Sequence, residues 1–328
     1  MDKDTRRYMR QTSLAEVGED GQQKLLDSAV LIVGAGGLGV PASLYLAGAG
    51  VGRIGILDDD TICLTNLHRQ VIYTEKDIGK PKAEQLARHL KQLNSDVDVD
   101  YYLQRMISSN ASTLIDQFDV VIDAADNFVT TYLLNDICQE KTKPLVSASV
   151  IGMKGYVGVF GCQSPSYRAV FPELPKEART CSDAGVLAPI AGIMGMMQAQ
   201  EAIKVLLDAE TALYGRLQIV DIWDNRFSSI DFADAKEPVD YTPVAIISRD
   251  ELSPNDTLID VRSVAEFDQR PEAGAINIPM DELPLHLDKV DFNTRLVFIC
   301  ASGQRATSAA FLLAEKHPCN VAVMYNLQ

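Results

Sequence analysis

Apolar positions along this chain follow two alternating rhythms. Ala29–Val33 (AVLIV) is apolar throughout and runs into glycines, the pattern of a strand buried on both faces of a parallel sheet. Arg53–Leu57 repeats it and stops at Asp58, and Pro41–Gly50 between them reads as a helix. Lys80–Leu93 carries Leu86, Leu90 and Leu93 at helical spacing, whereas Val97–Leu103 alternates as a strand. Ser109–Gln117 (helix), Val120–Ala124 (strand), Thr130–Glu140 (helix) and Leu145–Ala148 (strand) continue the series. Residues 1–26 read as amphipathic helical material around Tyr8, Leu14, Val17, Leu25 and Leu26. Tyr156–Phe160 and Leu217–Ile222 are further strands flanking a long helix, Ala188–Leu207. Such alternation predicts a doubly wound α/β sheet.

The rhythm breaks at Asp231–Pro243, which is polar and holds Pro238 and Pro243, and then restarts. Thr257–Asp260, Arg295–Ile299 and Val321–Tyr325 read as strands, and Leu283–Leu287 and Ala306–Lys316 as helices. The expected organisation is therefore a first domain over 1–235, a linker over 236–243 and a smaller α/β domain over 244–328. The most apolar stretch, Leu187–Gln200, is interrupted by Glu201 and Lys204 too early to span a bilayer and is expected to be a buried helix.

Composition narrows the function. Across 328 residues, 45 Asp and Glu outweigh 30 Lys and Arg for a net charge of −15, which disfavours a general nucleic-acid binder. The six cysteines (63, 138, 162, 181, 300 and 319) are scattered, with no C-x-x-C pair, and the start MDKDTRRYMR lacks the apolar core of a signal peptide. A cytoplasmic protein with reduced thiols and no membrane segment is expected.

The first candidate site is the turn Gly34-Ala35-Gly36-Gly37-Leu38-Gly39 between strand and helix, where backbone N–H groups can approach phosphates at a helix N-terminus. Asp58 ends the next strand, placed for ribose hydroxyls. These features alone also fit an NAD-dependent oxidoreductase. Arg69 and Lys82 add a clamp suited to a triphosphate, and Asp126 at a strand's carboxyl end suits Mg²⁺, which prefers carboxylate with phosphate oxygens. Hydride transfer needs no such clamp.

With its spacing Asp58-x-Asp60-(x)5-Asn66-Leu67-x-Arg69-Gln70 after the glycine loop, the chain resembles the E1-like adenylyltransferases of the MoeB/ThiF family. Arg7-Tyr8-x-Arg10-Gln11, Asp126-Asn127, Thr180-Cys181-x-x-x-Gly185-Val186-Leu187-x-Pro189 and Gln198-Ala199-x-Glu201-Ala202-Ile203-Lys204 extend the likeness over about residues 5–230. The resemblance implies a Rossmann-like fold and ATP-dependent adenylation of the C-terminal Gly-Gly carboxylate of a ubiquitin-like sulfur carrier. It implies an ATP site of Gly34, Gly36, Gly37, Gly39, Asp58, Asn66, Arg69, Gln70, Lys82, Asp126 and Asn127, with Mg²⁺ on Asp126. It further implies a homodimer in which Arg10 reaches the partner's nucleotide, and a possible covalent role for Cys181. Most of the family holds a structural zinc on two C-x-x-C pairs. Here Ser166 and Ala169 stand at the first spacing and Pro238-Val239-Asp240-Tyr241 at the second, so zinc is expected to be absent.

The second site lies where Leu296–Ile299 ends in Cys300-Ala301-Ser302-Gly303-Gln304-Arg305 ahead of a helix. A turn of N–H groups, a helix N-terminus and Arg305 would favour a thiolate, and a thiol of pKa about 8.5 is otherwise only about 3% ionised at pH 7. Asp260-Val261-Arg262-x-x-x-Glu266-Phe267 and the C-x-x-G-x-R loop resemble a rhodanese domain. Arg270-Pro271-Glu272 replaces that family's usual Gly-His-Ile, and the end at Gln328 reads as a shortened or trimmed domain. Together the resemblances imply carrier activation followed by sulfur transfer from a persulfide on Cys300, loaded by a donor such as a cysteine desulfurase, to give a thiocarboxylate. The molybdopterin-synthase small subunit (MoaD type) is the favoured carrier and the thiamin thiazole carrier (ThiS type) the alternative. An inert second domain or a non-catalytic scaffold would also carry these motifs.

Overall fold

The computed structural model describes residues 5–172, 185–239, 241, 243–301, 303–317 and 319–325. An eight-stranded sheet has the order β3-β2-β1-β4-β5-β6-β7-β8. β1 (Ala29–Val33), β2 (Arg53–Leu57), β3 (Asp98–Tyr102), β4 (Val120–Asp123) and β5 (Leu145–Ile151) are parallel. β6 (Lys154–Phe160), β7 (Arg216–Asp221) and β8 (Arg226–Asp231) extend it antiparallel, which the strand–helix rhythm did not convey. β8 escapes sequence reading because all six of its residues are exposed at the sheet edge, so no apolar alternation marks it. Asp231, where the apolar rhythm breaks, closes that strand.

The helices on the sheet are α1 (Met9–Thr12), α2 (Gly18–Asp27), α3 (Gly39–Ala49), α4 (Lys82–Leu93), α5 (Ser108–Ile115), α6 (Phe128–Glu140), α7 (Tyr167–Val170) and α8 (Ala188–Leu206). α6 starts earlier than its apolar pattern suggests because the Asn127 side chain accepts the Thr130 N–H and caps it. α8 is the buried helix expected of Leu187–Gln200, laid across β4, β5 and β6 and against α3.

A second sheet, wholly parallel, has the order β11-β10-β12-β13-β9. Its strands are β9 (Ala245–Ile247), β10 (Thr257–Asp260), β11 (Ile276–Asn277), β12 (Leu296–Cys300) and β13 (Val321–Tyr325). α9 (Val264–Gln269) and α10 (Gln304–Lys316) accompany them. β9, β11 and α9 are too short to print a period. Leu283–Leu287 is not an α-helix but parts of two 3-10 turns, Leu283–Leu285 and Leu287–Lys289, closed by bonds from the His286 N–H to the Leu283 carbonyl and from the Val290 N–H to the Leu287 carbonyl.

The two sheets meet across a built joint. The Ile246 N–H donates to Ser108 Oγ at 2.9 Å. Buried Arg168 forks the Asp136 carboxylate at 2.6 and 2.8 Å. Its guanidinium lies 4.5 Å from the Tyr132 ring centre and 4.3 Å from that of Tyr241, with Phe311 of α10 at 5.8 Å.

The first β-turn-α crossing depends on one glycine above the others. Gly34 has φ +106°, donates to the Leu57 carbonyl, and a Cβ there would stand 2.5 Å from the Ala124 oxygen. Gly34→Ala is therefore expected to destabilise the protein by about 3 kcal/mol, from backbone strain plus displacement of the β4 end. The check is the urea midpoint; a loss below about 1 kcal/mol would show that the turn relaxes freely.

Candidate functional site

The order of the parallel strands reverses between β1 and β4, and an open sheet presents its crevice at such a point, beyond the carboxyl ends of the strands. A cavity of about 410 Å³ lies there. Gly34, Gly36, Gly37, Asp58, Asn66, Arg69, Gln70, Lys82, Asp126 and Asn127 all line it. Residues more than ninety positions apart thus converge as the spacing led one to expect. Gly39 is absent from the lining. It stands behind the loop, where a Cβ would collide with the Gly34 carbonyl, so it serves the close helix–strand approach.

The electrostatics are uneven. The Asp58 carboxylate accepts from the N–H groups of Ala35 at 2.7 Å and Asp60 at 2.8 Å, so it braces the glycine loop. Burial pushes its pKa up, while Lys82 and the two amides pull it back. Lys82 is 5% exposed and pairs with Asp60 at 2.5 Å; Arg105 pairs with Asp59 at 2.6 Å. Arg69 donates to Asn66 Oδ1 at 2.8 Å and lies 3.0 Å from His68 Nε2, with no carboxylate partner among the described residues. It is the cation most available to an incoming anion.

Sequence reasoning missed several supporting residues. Buried Tyr73 donates to the Ala35 carbonyl at 2.9 Å and the Lys82 carbonyl at 3.2 Å, tying the loop to the lysine's backbone. Arg105 and Met106 wall the crevice from the end of β3. Gln198 of α8, which the sequence named only as part of a motif, donates to the Asp123 carbonyl at 2.6 Å. No motif marks Tyr73 or Met106; the acid–base pairing of Arg105 with Asp59 spans 46 positions and is invisible to local patterning.

Asp123, at the tip of β4, is a buried acid behind the crevice and outside its lining. Its carboxylate accepts from Ser147 Oγ at 2.8 Å and from the Ala125 N–H at 3.2 Å. Burial pushes its pKa up to about 6, against those bonds and one from Thr131. An acid whose folded pKa exceeds its unfolded value stabilises the fold most below the unfolded value, and that contribution is lost as pH rises towards the folded one. Relative to Asp123→Asn, the wild type should therefore lose about 2 kcal/mol of stability between pH 4.5 and 7.5. Urea unfolding of both proteins at the two pH values checks this. A pH-independent difference would mean that the group stays ionised throughout.

The donor set suits Mg²⁺ only in company. Among the described residues no three His, Cys, Asp or Glu side chains cluster as a metal site, and Asp126 is an exposed carboxylate on the crevice rim. A single hard oxygen ligand of this kind would hold magnesium only through shared nucleotide phosphates, not in a protein cage. Where the resemblance expects zinc-binding cysteines, the Glu237 carboxylate accepts from the Ser166 N–H at 2.7 Å and its Oγ at 2.6 Å. Ser166 also caps α7.

The remaining candidates lie elsewhere. Arg10 is exposed on α1, outside the crevice lining, and Cys181 lies outside the described residues. Cys300 ends β12 in the second sheet with no exposed surface, and its Sγ accepts the Ala306 N–H at 3.4 Å. Arg305 does not hang free beside it. Both its terminal nitrogens donate to Glu266 at 2.7 Å.

A Rossmann-like crevice with an antiparallel sheet extension, followed by a small parallel α/β unit bearing a strand-end cysteine, defines a two-part protein. The ThiF family model matches residues 8–240 and a rhodanese-like domain model matches residues 247–326. The chain belongs to the ThiF family and carries a rhodanese-like domain after it. Adenylyltransferase and sulfurtransferase MOCS3 of Culex quinquefasciatus is 47% identical over 227 residues, covering 68% of this chain and 52% of that protein. The SAMP-activating enzyme E1 of Haloferax volcanii is 40% identical over 259 residues, 74% of this chain and 96% of that one. The sulfur carrier protein ThiS adenylyltransferase of Escherichia coli is 42% identical over 235 residues, 70% and 92%. The matched region spans about half the length of the Culex protein and of its Anopheles gambiae counterpart. Escherichia coli MccB shares the fold at TM-score 0.62 and 24% identity, over 73% of this chain and 72% of that one. No helix among the described residues is long and apolar enough to cross a membrane.

Proposed function

We propose that this protein uses ATP to adenylate the C-terminal Gly-Gly carboxylate of a ubiquitin-like sulfur carrier and then delivers sulfur to it. The observation that carries this reading is the convergence of Arg69 and Lys82 with the glycine loop and Asp58 in one crevice. The ATP phosphates lie along the glycine loop and the N-terminus of α3, with the ribose on Asp58. Asn66, Arg69, Gln70, Lys82 and Asn127 complete the site, and Mg²⁺ on Asp126 screens phosphate charge when bound. A carrier carboxylate oxygen attacks the α-phosphorus, the α–β phosphoanhydride bond breaks, and pyrophosphate leaves. The carboxylate is already ionised at pH 7, so the protein's task is to hold two anions together and stabilise the charge that builds.

In the second part, the terminal sulfur of a Cys300 persulfide, loaded by a cysteine desulfurase, attacks the acyl carbon and AMP leaves. A further thiol, Cys181, then attacks the Cys300 sulfur, freeing the carrier thiocarboxylate and leaving a Cys181–Cys300 disulfide that an external thiol reduces. Tethering the thiol near a labile acyl-adenylate raises its effective concentration. The working units are 1–235 and 244–328 joined by 236–243, acting as a cytoplasmic homodimer in which Arg10 completes the partner's nucleotide site. The likeness to MOCS3 proteins together with the rhodanese-like match favours a MoaD-type carrier. The likeness to a ThiS adenylyltransferase supports the thiamin carrier as the second reading. ATP–pyrophosphate exchange, with each carrier added separately and with none, tests both. Exchange with one carrier names it; no exchange and no ATP binding overturns the reading.

A further inference from the structure

We propose that Glu266 is an internal stand-in for the anionic sulfur donor of Cys300: it occupies the Arg305 guanidinium at rest and yields it to an anionic sulfane-sulfur compound. The inference deepens the reading of Cys300 as the sulfur-carrying thiol and rests on it for the nature of the donor.

Among the arginine–carboxylate pairs around the second sheet, Arg262–Asp260 and Arg305–Glu266 differ in their environments. Arg262, its side chain 5% exposed, is locked to the wholly buried Asp260 and also donates to the carbonyls of Glu266 and Arg270. Removing either partner there would strand a buried charge, so that pair is permanent. The Arg305–Glu266 fork is 38% and 42% exposed, where an ion pair is weak and readily traded for another anion. Glu266 has somewhere to go. Its carboxylate also accepts from the Ser263 N–H at 3.0 Å and Oγ at 2.7 Å, the capping box of α9, and these bonds survive the loss of Arg305.

Arg305 immediately precedes Ala306, whose N–H is held by the Cys300 sulfur. Cys300 has no exposed surface in the resting arrangement, so a donor reaches the sulfur only when this turn shifts. A fork-shaped guanidinium suits the oxygen face of a thiosulfonate or a carboxylate-bearing persulfide. With thiosulfate as the probe, the Cys300 thiolate attacks the outer sulfur and the S–S pair leaves with sulfite, giving a Cys300 persulfide anion. Charge and atoms balance without a further reagent.

The test is the alkylation rate of Cys300 by iodoacetate and by iodoacetamide in the full chain, followed by mass spectrometry of the Cys300 peptide. The ratio of the two rates cancels turn opening and reads anion preference alone. Glu266→Gln, which keeps an acceptor for the helix cap, is expected to raise the ratio about fivefold. Glu266→Asp, with charge kept and reach shortened, should raise it about twofold. In an Arg305→Met background the Glu266→Gln effect should vanish. An unchanged ratio in Glu266→Gln and Glu266→Asp, or an equal rise without Arg305, overturns the proposal. Failure of the wild type to form a persulfide from thiosulfate would instead strike at the sulfur reading, leaving the alkylation ratio to decide Glu266.

Discussion

Lys82→Ala is expected to lower ATP–pyrophosphate exchange about 10³-fold, the upper end of what one preorganised charge donor supplies. Lys82 is buried at the foot of the crevice, with Asp58 and Asp60 close by. Without the ammonium these two carboxylates face the triphosphate unscreened, and Asp58 loses the main charge that opposes its burial. The effect is therefore more than a missing contact: an attractive site becomes a repulsive one. The fold should survive, because Asp60 is half exposed and regains water. Lys82→Arg restores only part of the rate, since a planar fork does not occupy the place of a compact ammonium. Exchange within threefold of wild type in Lys82→Ala would overturn the part proposed for the lysine in adenylation.

Cys300→Ala should cut thiocarboxylate formation at least about 10³-fold, the scale on which loss of a nucleophile acts, while leaving ATP–pyrophosphate exchange within about twofold. The separation follows from topology. Cys300 ends the central strand of the second sheet, whereas every residue lining the nucleotide crevice belongs to the first. The substitution removes one sulfur from a packed site and takes no part in charge balance around ATP. The carrier's mass reports the product directly, as one oxygen exchanged for sulfur. An undiminished yield would mean that sulfur reaches the acyl-adenylate without the rhodanese-like domain. A parallel loss of exchange would mean that the two parts are coupled through the Arg168 joint.

The main parallel strands were legible because each is apolar on both faces and ends in a residue with chemistry: Gly34 after β1, Asp58 after β2 and the Asp123–Asp126 turn after β4. Burial of a short segment leaves a continuous apolar run, and that signal is local. The edges of both sheets were not legible. β8 has no buried side, and β9 and β11 are too brief for any period to register. Leu283, Leu285 and Leu287 suggested a helix, but the segment closes only two three-residue 3-10 turns.

The sequence by itself determined the two-part α/β plan and nominated the residues of a nucleotide crevice and of a strand-end thiol, because glycine loops and strand-terminal acids must follow apolar strands in order along the chain. Which charges are available was decided only in three dimensions. Lys82 meets Asp60 and Arg105 meets Asp59, Arg69 has no acid among the described residues, and Arg305 is held by Glu266. Burial raises Asp123 and joins it to Ser147. Coulomb energy and desolvation depend on distance and exposure, and neighbours 22 to 46 positions apart acquire both only when the sheets close over them.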